Sequence, residues 1–167
     1  TFDFKTQALK VSGILFFYMF RIRHIYDYTR PVDKNAVEQV HEILRSHFSS
    51  LNENKIKAIE EQLRNPLKFK FRTILFVAEN RSGTVLGFAI MMFVSDLNFC
   101  FLDYIASRKD FIASGIGGSL YEHVREEAKN LKAVGLFFES LPDDPSLCKN
   151  PDLLEQNKAR LKFYERF

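Results

Sequence analysis

The stretch from Leu102 to Leu131 constrains this chain more than any other. An apolar run closes at Ala106, Ser114-Gly115-Ile116-Gly117-Gly118-Ser119 follows, and a helical pattern then runs to Leu131. A strand that passes through a glycine-rich loop into a helix belongs to a layered sheet-and-helix domain. It also carries a chemical implication. The first-turn amides of a helix have no partner within the helix, and the aligned peptide dipoles place partial positive charge there. Glycines let such backbone approach a phosphate with no side chain between. Gly115, Gly117 and Gly118 are placed to do this, and the ligand they suggest is a pyrophosphate. A glycine turn that only brings a helix close to a sheet would use the same residues, so the loop alone leaves both readings open. No Lys-Ser or Lys-Thr pair follows the glycines, which excludes a Walker loop. The preceding strand closes an antiparallel meander rather than opening a βαβ pair, which argues against a dinucleotide fingerprint.

The rest of the chain supplies the layers. Phe20, Ile22, His24 and Tyr26 alternate with Arg21 and Arg23 and predict a first strand, imperfect at Ile25. Asp27 to Arg30, with Pro31, is a turn. Asp33 is the expected N-cap of a helix with Ala36, Val37, Val40, Ile43, Leu44 and Phe48 on one stripe. Asn52 caps a second helix carrying Ile56, Ile59 and Leu63, and Asn65-Pro66 ends it. Thr73 to Ala78, Thr84 to Ser95 and Phe99 to Ala106 predict three antiparallel strands joined by turns at Asn80-Arg81-Ser82-Gly83 and Asp96-Leu97-Asn98. In the loop helix, Leu120, Val124 and Ala128 face inward. Ala133 to Glu139 reads as a strand buried on both faces. A loop from Leu141 to Pro151 then leads to a last helix from Leu153 to Arg166. The crossover into the Ala133–Glu139 strand is expected to be parallel and right-handed.

Composition narrows the class. The 167 residues, 46% hydrophobic and 27% charged, suit one globular domain, and 18 phenylalanines without tryptophan predict an aromatic core. A net charge of +3 without a clustered basic face excludes a nucleic-acid binder. Val11 to Phe20 is too short to span a membrane, and Arg21-Ile22-Arg23 follows it where a signal peptide would need small residues. Cys100 and Cys148 match no zinc or redox spacing. Cys100 reads as a buried thiol, and a cytoplasmic, reducing location is expected. Met19 is a candidate natural start. Residues 1–18 then form an N-terminal extension, upstream of the natural chain or an added strand, ahead of a domain over 19–167. His24, His41, His47 and His123 form no metal-like group, and His123 is expected on an exposed helix face.

Ser114-Gly115-Ile116-Gly117-Gly118, followed by Leu120-Tyr121, resembles motif A of the GNAT superfamily of N-acetyltransferases, usually Arg/Gln-x-x-Gly-x-Gly/Ala. Ala159-Arg160-Leu161-Lys162-Phe163-Tyr164-Glu165-Arg166 resembles that superfamily's motif B helix. The element order from Phe20 to Phe167 is similar over nearly the whole region. A fainter similarity points to the acetyltransferase part of bacterial proteins fused to a deacetylase-like domain. The resemblance implies an α/β (α+β) acyl-CoA N-acyltransferase-like fold, with a mixed, mostly antiparallel central sheet and helices on both faces. It also implies two further strands beyond Phe167, so that a missing C-terminal region, a second copy or the N-terminal extension would complete the sheet.

The implied activity is transfer of an acetyl group from acetyl-CoA to a primary amine, on a small molecule or a lysine side chain, with no metal. Tyr104, Ile105 and Ala106 would pair with the pantetheine arm. The backbone of Ile112, Ala113, Ser114, Gly115, Ile116, Gly117, Gly118 and Ser119 would hold the phosphates. Tyr164 matches the motif B tyrosine and is the candidate acid, or else a helix-face tyrosine. Glu139, ending a buried strand where poor hydration favours the protonated carboxyl, and Asp103, interrupting an apolar strand, are candidates for the base or for holding a water. Each is equally readable as a salt-bridged or sheet-edge carboxylate. Ile112 stands where the superfamily has Arg or Gln, and Ser107 to Ala113 makes the loop about two residues longer than its usual form. A CoA-binding or interaction module without catalysis is the second reading.

Overall fold

Strict alternation along two long strands organises the molecule, whose computed structural model describes residues 4–11, 14–48, 51–112 and 114–167, with side chains from Phe20 onward. β3 (Arg72–Glu79) and β4 (Val85–Val94) are antiparallel neighbours and buried along almost their whole length. Leu75 and Val77 of β3 and Phe88 and Ile90 of β4 pack against Val37, Val40 and Leu44 of α1 (Pro31–His47) and Ile59 and Leu63 of α2 (Glu53–Arg64). The intervening residues face the opposite side. There the His24 ring meets Phe76 edge-on at 4.6 Å, and the Tyr26 hydroxyl donates to Glu127 of α3 (Ile116–Asn130) at 3.2 Å. Helices therefore cover both faces of the sheet, as the resemblance implies.

β1 (Phe4–Val11) and β2 (Ile14–Ile25) precede these strands, and β5 (Phe99–Ser107) and β6 (Leu136–Phe138) follow them. The sheet order is β1-β2-β3-β4-β5-β6, with antiparallel pairing from β1 through β5. Two bonds lead β6 in beside β5. Val134 N–H donates to Asn98 O and Cys100 N–H to Gly135 O, advancing in the same direction along both chains, as parallel strands do.

Three expectations need correction. β6 is three residues long and its side chains are not buried, with Phe137 56% exposed, and Val134 ahead of it in the predicted strand is 76% exposed. The strands buried on both faces are β3 and β4, which have a neighbour on each side and helices above and below. β6 lies at the edge of the described sheet. Second, α1 starts at Pro31 with Arg30 as N-cap and no side-chain cap bond, so Asp33 lies inside the first turn. Its buried carboxylate instead accepts from Arg23 and, at 2.6 Å, from Arg30 Nε. Packing rather than capping holds this helix, since each buried Val or Leu contributes about 1.5–3 kcal/mol and a cap about 1. Third, His123 is half-buried, with Nδ1 2.8 Å from Ser119 O.

Arg23 also reaches Glu79, which Arg21 Nη2 meets at 2.6 Å, so two buried carboxylates are shared among three arginines. The desolvation cost of these buried carboxylates is offset because each has a cation beside it. The second helix and the hairpin follow expectation. Asn52 accepts from Lys55 N–H at 2.9 Å, and Asn80 Oδ1 accepts from the amides of Ser82 and Thr84. Gly83, at φ +80°, supplies the left-handed residue of that turn.

The chain divides into two compact units, 1–137 and 138–167. In the second, α4 (Pro151–Tyr164) begins two residues earlier than its periodicity predicts, because Asn150 accepts from the amides of Asp152 and Leu153. Buried Asn157 donates to Pro142 O at 2.8 Å and ties the preceding loop to the helix.

Two histidines make the fold acid-sensitive. His41 is buried beside Glu53 and Glu60 of α2, and its Nε2 has no hydrogen-bond partner among the described residues. Burial pushes it below its ordinary value of 6.5, Glu60 opposing, and burial does the same to His24. Below pH 6.5 the unfolded chain then binds protons that the folded chain refuses. Stability from these groups is complete above that pH and falls as pH drops through their folded values. Thermal melts between pH 7.5 and 5 should show a falling Tm, with a shallower fall in His41→Leu.

Candidate functional site

The end of β5 and the start of α3 are fastened to the sheet at several points. Arg108 N–H donates to Leu86 O at 2.8 Å and its Nε to Val85 O at 2.7 Å. A 3-10 turn at Lys109–Phe111 follows. Ser114 is buried, and its hydroxyl turns back to Phe111 O at 2.5 Å rather than capping the helix. Gly115 then takes φ +79°, a left-handed conformation that a side chain would strain, and α3 begins with no side-chain cap. Ile116 is buried and anchors the first turn on Gly87. A Cβ on Gly87 would lie 2.8 Å from Ile116 Cγ2 and 3.0 Å from Ala106 O. Because the contacts include β5 backbone at Ala106 and Ser107 as well as the Ile116 side chain, relief requires the end of β5 to shift against β4. Gly87→Val should therefore cost about 1–3 kcal/mol, measurable as a lower Tm, and should weaken whatever the loop binds.

The predicted phosphate-binding residues separate into two groups. Ile112 N–H is taken by Lys109 O at 3.4 Å and Ser114 N–H by Phe111 O at 3.2 Å, while Ser119 N–H makes the first helical bond, to Gly115 O. These amides are engaged, and Ser119 and Ile116 turn their side chains inward. Ala113 lies outside the described residues. The amides of Ile116, Gly117 and Gly118 have no acceptor among the described residues, so the outward-facing donor set is the first turn of α3 alone. Ile112 is 59% exposed and offers no polar group.

Asp103 is where sequence reading missed a feature. Met91 pairs with Leu102 and Ile90 with Tyr104, so Asp103 is an extra residue in β5, a β-bulge. It is exposed, and Tyr104, Ile105 and Ala106 beyond it are half-buried. The Tyr104 ring lies edge-on to Phe48, which follows α1, at 5.2 Å. Burial and then the Asp103 charge push the Tyr104 hydroxyl up from its ordinary range. The signal available in sequence was a lone carboxylate in an apolar strand, which marks a break but not a bulge.

The other two candidates belong to the second unit. Tyr164 is half-buried, with its ring stacked on Phe138 at 4.1 Å. Glu139 is exposed, without the poorly hydrated setting that the end of a buried strand predicts for this candidate base or water holder. Cys100 is a buried free thiol whose pKa burial raises to about 11. Among the described residues no group of three or more His, Cys, Asp or Glu is placed to hold a metal ion, and no helix is long and apolar enough to cross a membrane.

Solved structures share this architecture. The chain superposes on the aminoglycoside N-acetyltransferase AAC(6')-Iy, solved with a CoA-S-monomethyl-acetylneamine bisubstrate analogue, with a TM-score of 0.60 over 86% of this chain and 88% of that one, at 16% identity. The fold is that of the GNAT acetyltransferases. A structure described as a GNAT family acetyltransferase from Staphylococcus aureus matches over 72% of this chain and 98% of that one, at 16% identity and a TM-score of 0.54. The ribosomal-protein-alanine N-acetyltransferase of Brucella melitensis matches over 82% and 89%, at 17% identity and a TM-score of 0.54. No family model and no curated protein matches the sequence. The GNAT fold of this chain is thus carried by backbone geometry with little shared sequence.

Proposed function

We propose that this chain is a cytoplasmic N-acetyltransferase that moves an acetyl group from acetyl-CoA directly onto a primary amine. The observation that carries the reading is the first turn of α3, where Ile116, Gly117 and Gly118, entered through Gly115, present backbone donors with no side-chain cap after the end of β5. A diphosphate is the anion such a turn suits, and AAC(6')-Iy, of the same fold, has been solved with CoA.

In this reading the backbone of Tyr104, Ile105 and Ala106 pairs with the pantetheine arm and aims the thioester past the bulge. A neutral amine attacks the carbonyl carbon, the C–N bond forms and the C–S bond breaks. The nitrogen gives up its proton and the departing thiolate takes one. Asp103, exposed at the bulge, receives the amine proton directly or through a water, with Glu139 the alternative. Tyr164 supplies the proton to the thiolate. The acceptor is a small-molecule amine or a lysine side chain. Structures of this fold include enzymes named for an aminoglycoside and for a ribosomal-protein alanine, so the fold does not choose between them.

Exposed Ile112 in place of Arg or Gln favours the second reading, CoA binding without turnover. Thiol release from acetyl-CoA, measured against polyamines, amino acids and lysine peptides beside calorimetry with CoA, separates the two. Turnover that drops in Tyr164→Phe supports the enzyme. Binding without thiol release supports the module, and absence of CoA binding removes both.

A further inference from the structure

The first unit holds a concavity at the end of the sheet opposite the glycine loop, where β2 and β4 finish and β3 begins. Its volume is about 690 Å³, and its walls include the rings of Tyr26, Phe69, Phe71 and Phe93. The Tyr26 wall is fixed in place. Its hydroxyl lies 3.2 Å from Glu127 and 3.0 Å from His24 Nδ1, and the Arg72 guanidinium stands over its ring at 4.5 Å. Phe69 and Phe71 face each other at 5.5 Å. A volume of this size with aromatic walls suits a small organic ligand with a ring.

The charges around the rings specify more. Just upstream, Arg64 and Lys68 are committed to Glu60 and Glu61. Lys70 and Arg72, which line the concavity, form no ion pair among the described residues. Two carboxylates line it as well. Asp27 spends Oδ1 on the amide and hydroxyl of Thr29, and Asp96 accepts a long 3.4 Å bond from Ser95. A purely anionic ligand would meet the carboxylates of Asp27 and Asp96, and a purely cationic one the Arg72 and Lys70 charges. A ligand carrying both signs on an aromatic body opposes neither.

We propose that this concavity binds a small aromatic zwitterion, with the chemistry of a free aromatic α-amino acid. The ring lies among the four aromatic walls, the carboxylate meets Arg72 and Lys70, and the ammonium meets Asp96. The inference is independent of acetyl transfer, because none of these residues belongs to the glycine loop or to the proposed acid and bases.

The test is a titration of the whole chain with L-phenylalanine, 3-phenylpropanoate and phenethylamine, followed by amide and methyl NMR shifts. L-Phenylalanine should bind more tightly than either singly charged analogue, by about two- to fivefold, the range that one partly exposed ion pair supplies. Arg72→Ala should remove that preference over phenethylamine, and Phe93→Ala should weaken all three probes, with shifts confined to the residues around Tyr26 and Phe93. No saturable shift up to roughly 10 mM, equal or tighter binding of a singly charged analogue, or shifts elsewhere would each overturn the proposal.

Discussion

In Gly117→Asp, CoA affinity should fall by roughly a hundredfold or more while the melting temperature stays close to that of the parent. The two halves of this expectation have opposite electrostatic signs. Gly117 is the second residue of α3 and has no positive φ, so its backbone conformation is one that a residue with a side chain adopts without strain. A carboxylate in the first turn of a helix is favourable, by about 0.3–1 kcal/mol, so the helix itself gains. A diphosphate at the same turn meets a like charge within a few ångströms, worth about 4 kcal/mol at the effective dielectric of a protein surface. Calorimetry with CoA alongside a thermal melt reads both. Unchanged affinity with an unchanged melt would show that the phosphates lie elsewhere.

Glu79→Ala should be the most damaging single change to the fold described here, costing about 3–5 kcal/mol. That corresponds to roughly 6–20 °C in Tm for a chain of this size. Glu79 is 1% exposed and is the acceptor that Arg21 and Arg23 share between β2 and β3. Its loss removes the carboxylate that both guanidinium groups meet, and leaves Asp33 to balance Arg23 while Arg30 also draws on it. The Arg23 half dominates, since that side chain is 13% exposed and Arg21, at 34%, is partly screened by solvent. Glu79→Gln keeps an acceptor oxygen and should cost less. A Tm in Glu79→Ala within two degrees of the parent would mean that the arginines re-solvate freely and that the network does not hold the strands.

The layers were legible in the sequence because short-range patterns dictate them. The stripe Val37, Val40, Leu44 on α1, the Asn52 cap and the Asn80–Gly83 turn each follow from local chemistry, and the structure places them accordingly. What was misread depended on long-range neighbours. Asp33 looks like a cap because Asp before a helical stripe usually is one. Only the fold brings Arg23 to it, and the ion pair wins over the cap. Ala133 to Glu139 looks like a buried strand because it is apolar, but burial needs neighbours on both sides, and β6 stands at the edge. At the candidate site the glycines announced the turn. Which amides face outward depends on how residues 109–114 fold back on themselves, and the sequence carries no signal for that.

The one-residue excess at Asp103 reverses the parity of the strand. Cys100 and Leu102, before it, are buried, with Cys100 sensing Glu127 on the α3 side; Tyr104 and Ala106, after it, join the cluster under α1 and α2. In a regular strand all four would share one side of the sheet. Excising residue 103 would therefore remove the irregularity alone, leaving Leu102 opposite Met91 and Tyr104 opposite Ile90 in an unbroken ladder with the Tyr104 ring still beside Phe48. A single deletion here straightens the strand, whereas keeping residue 103 and forcing it into the ladder would invert every side chain that follows.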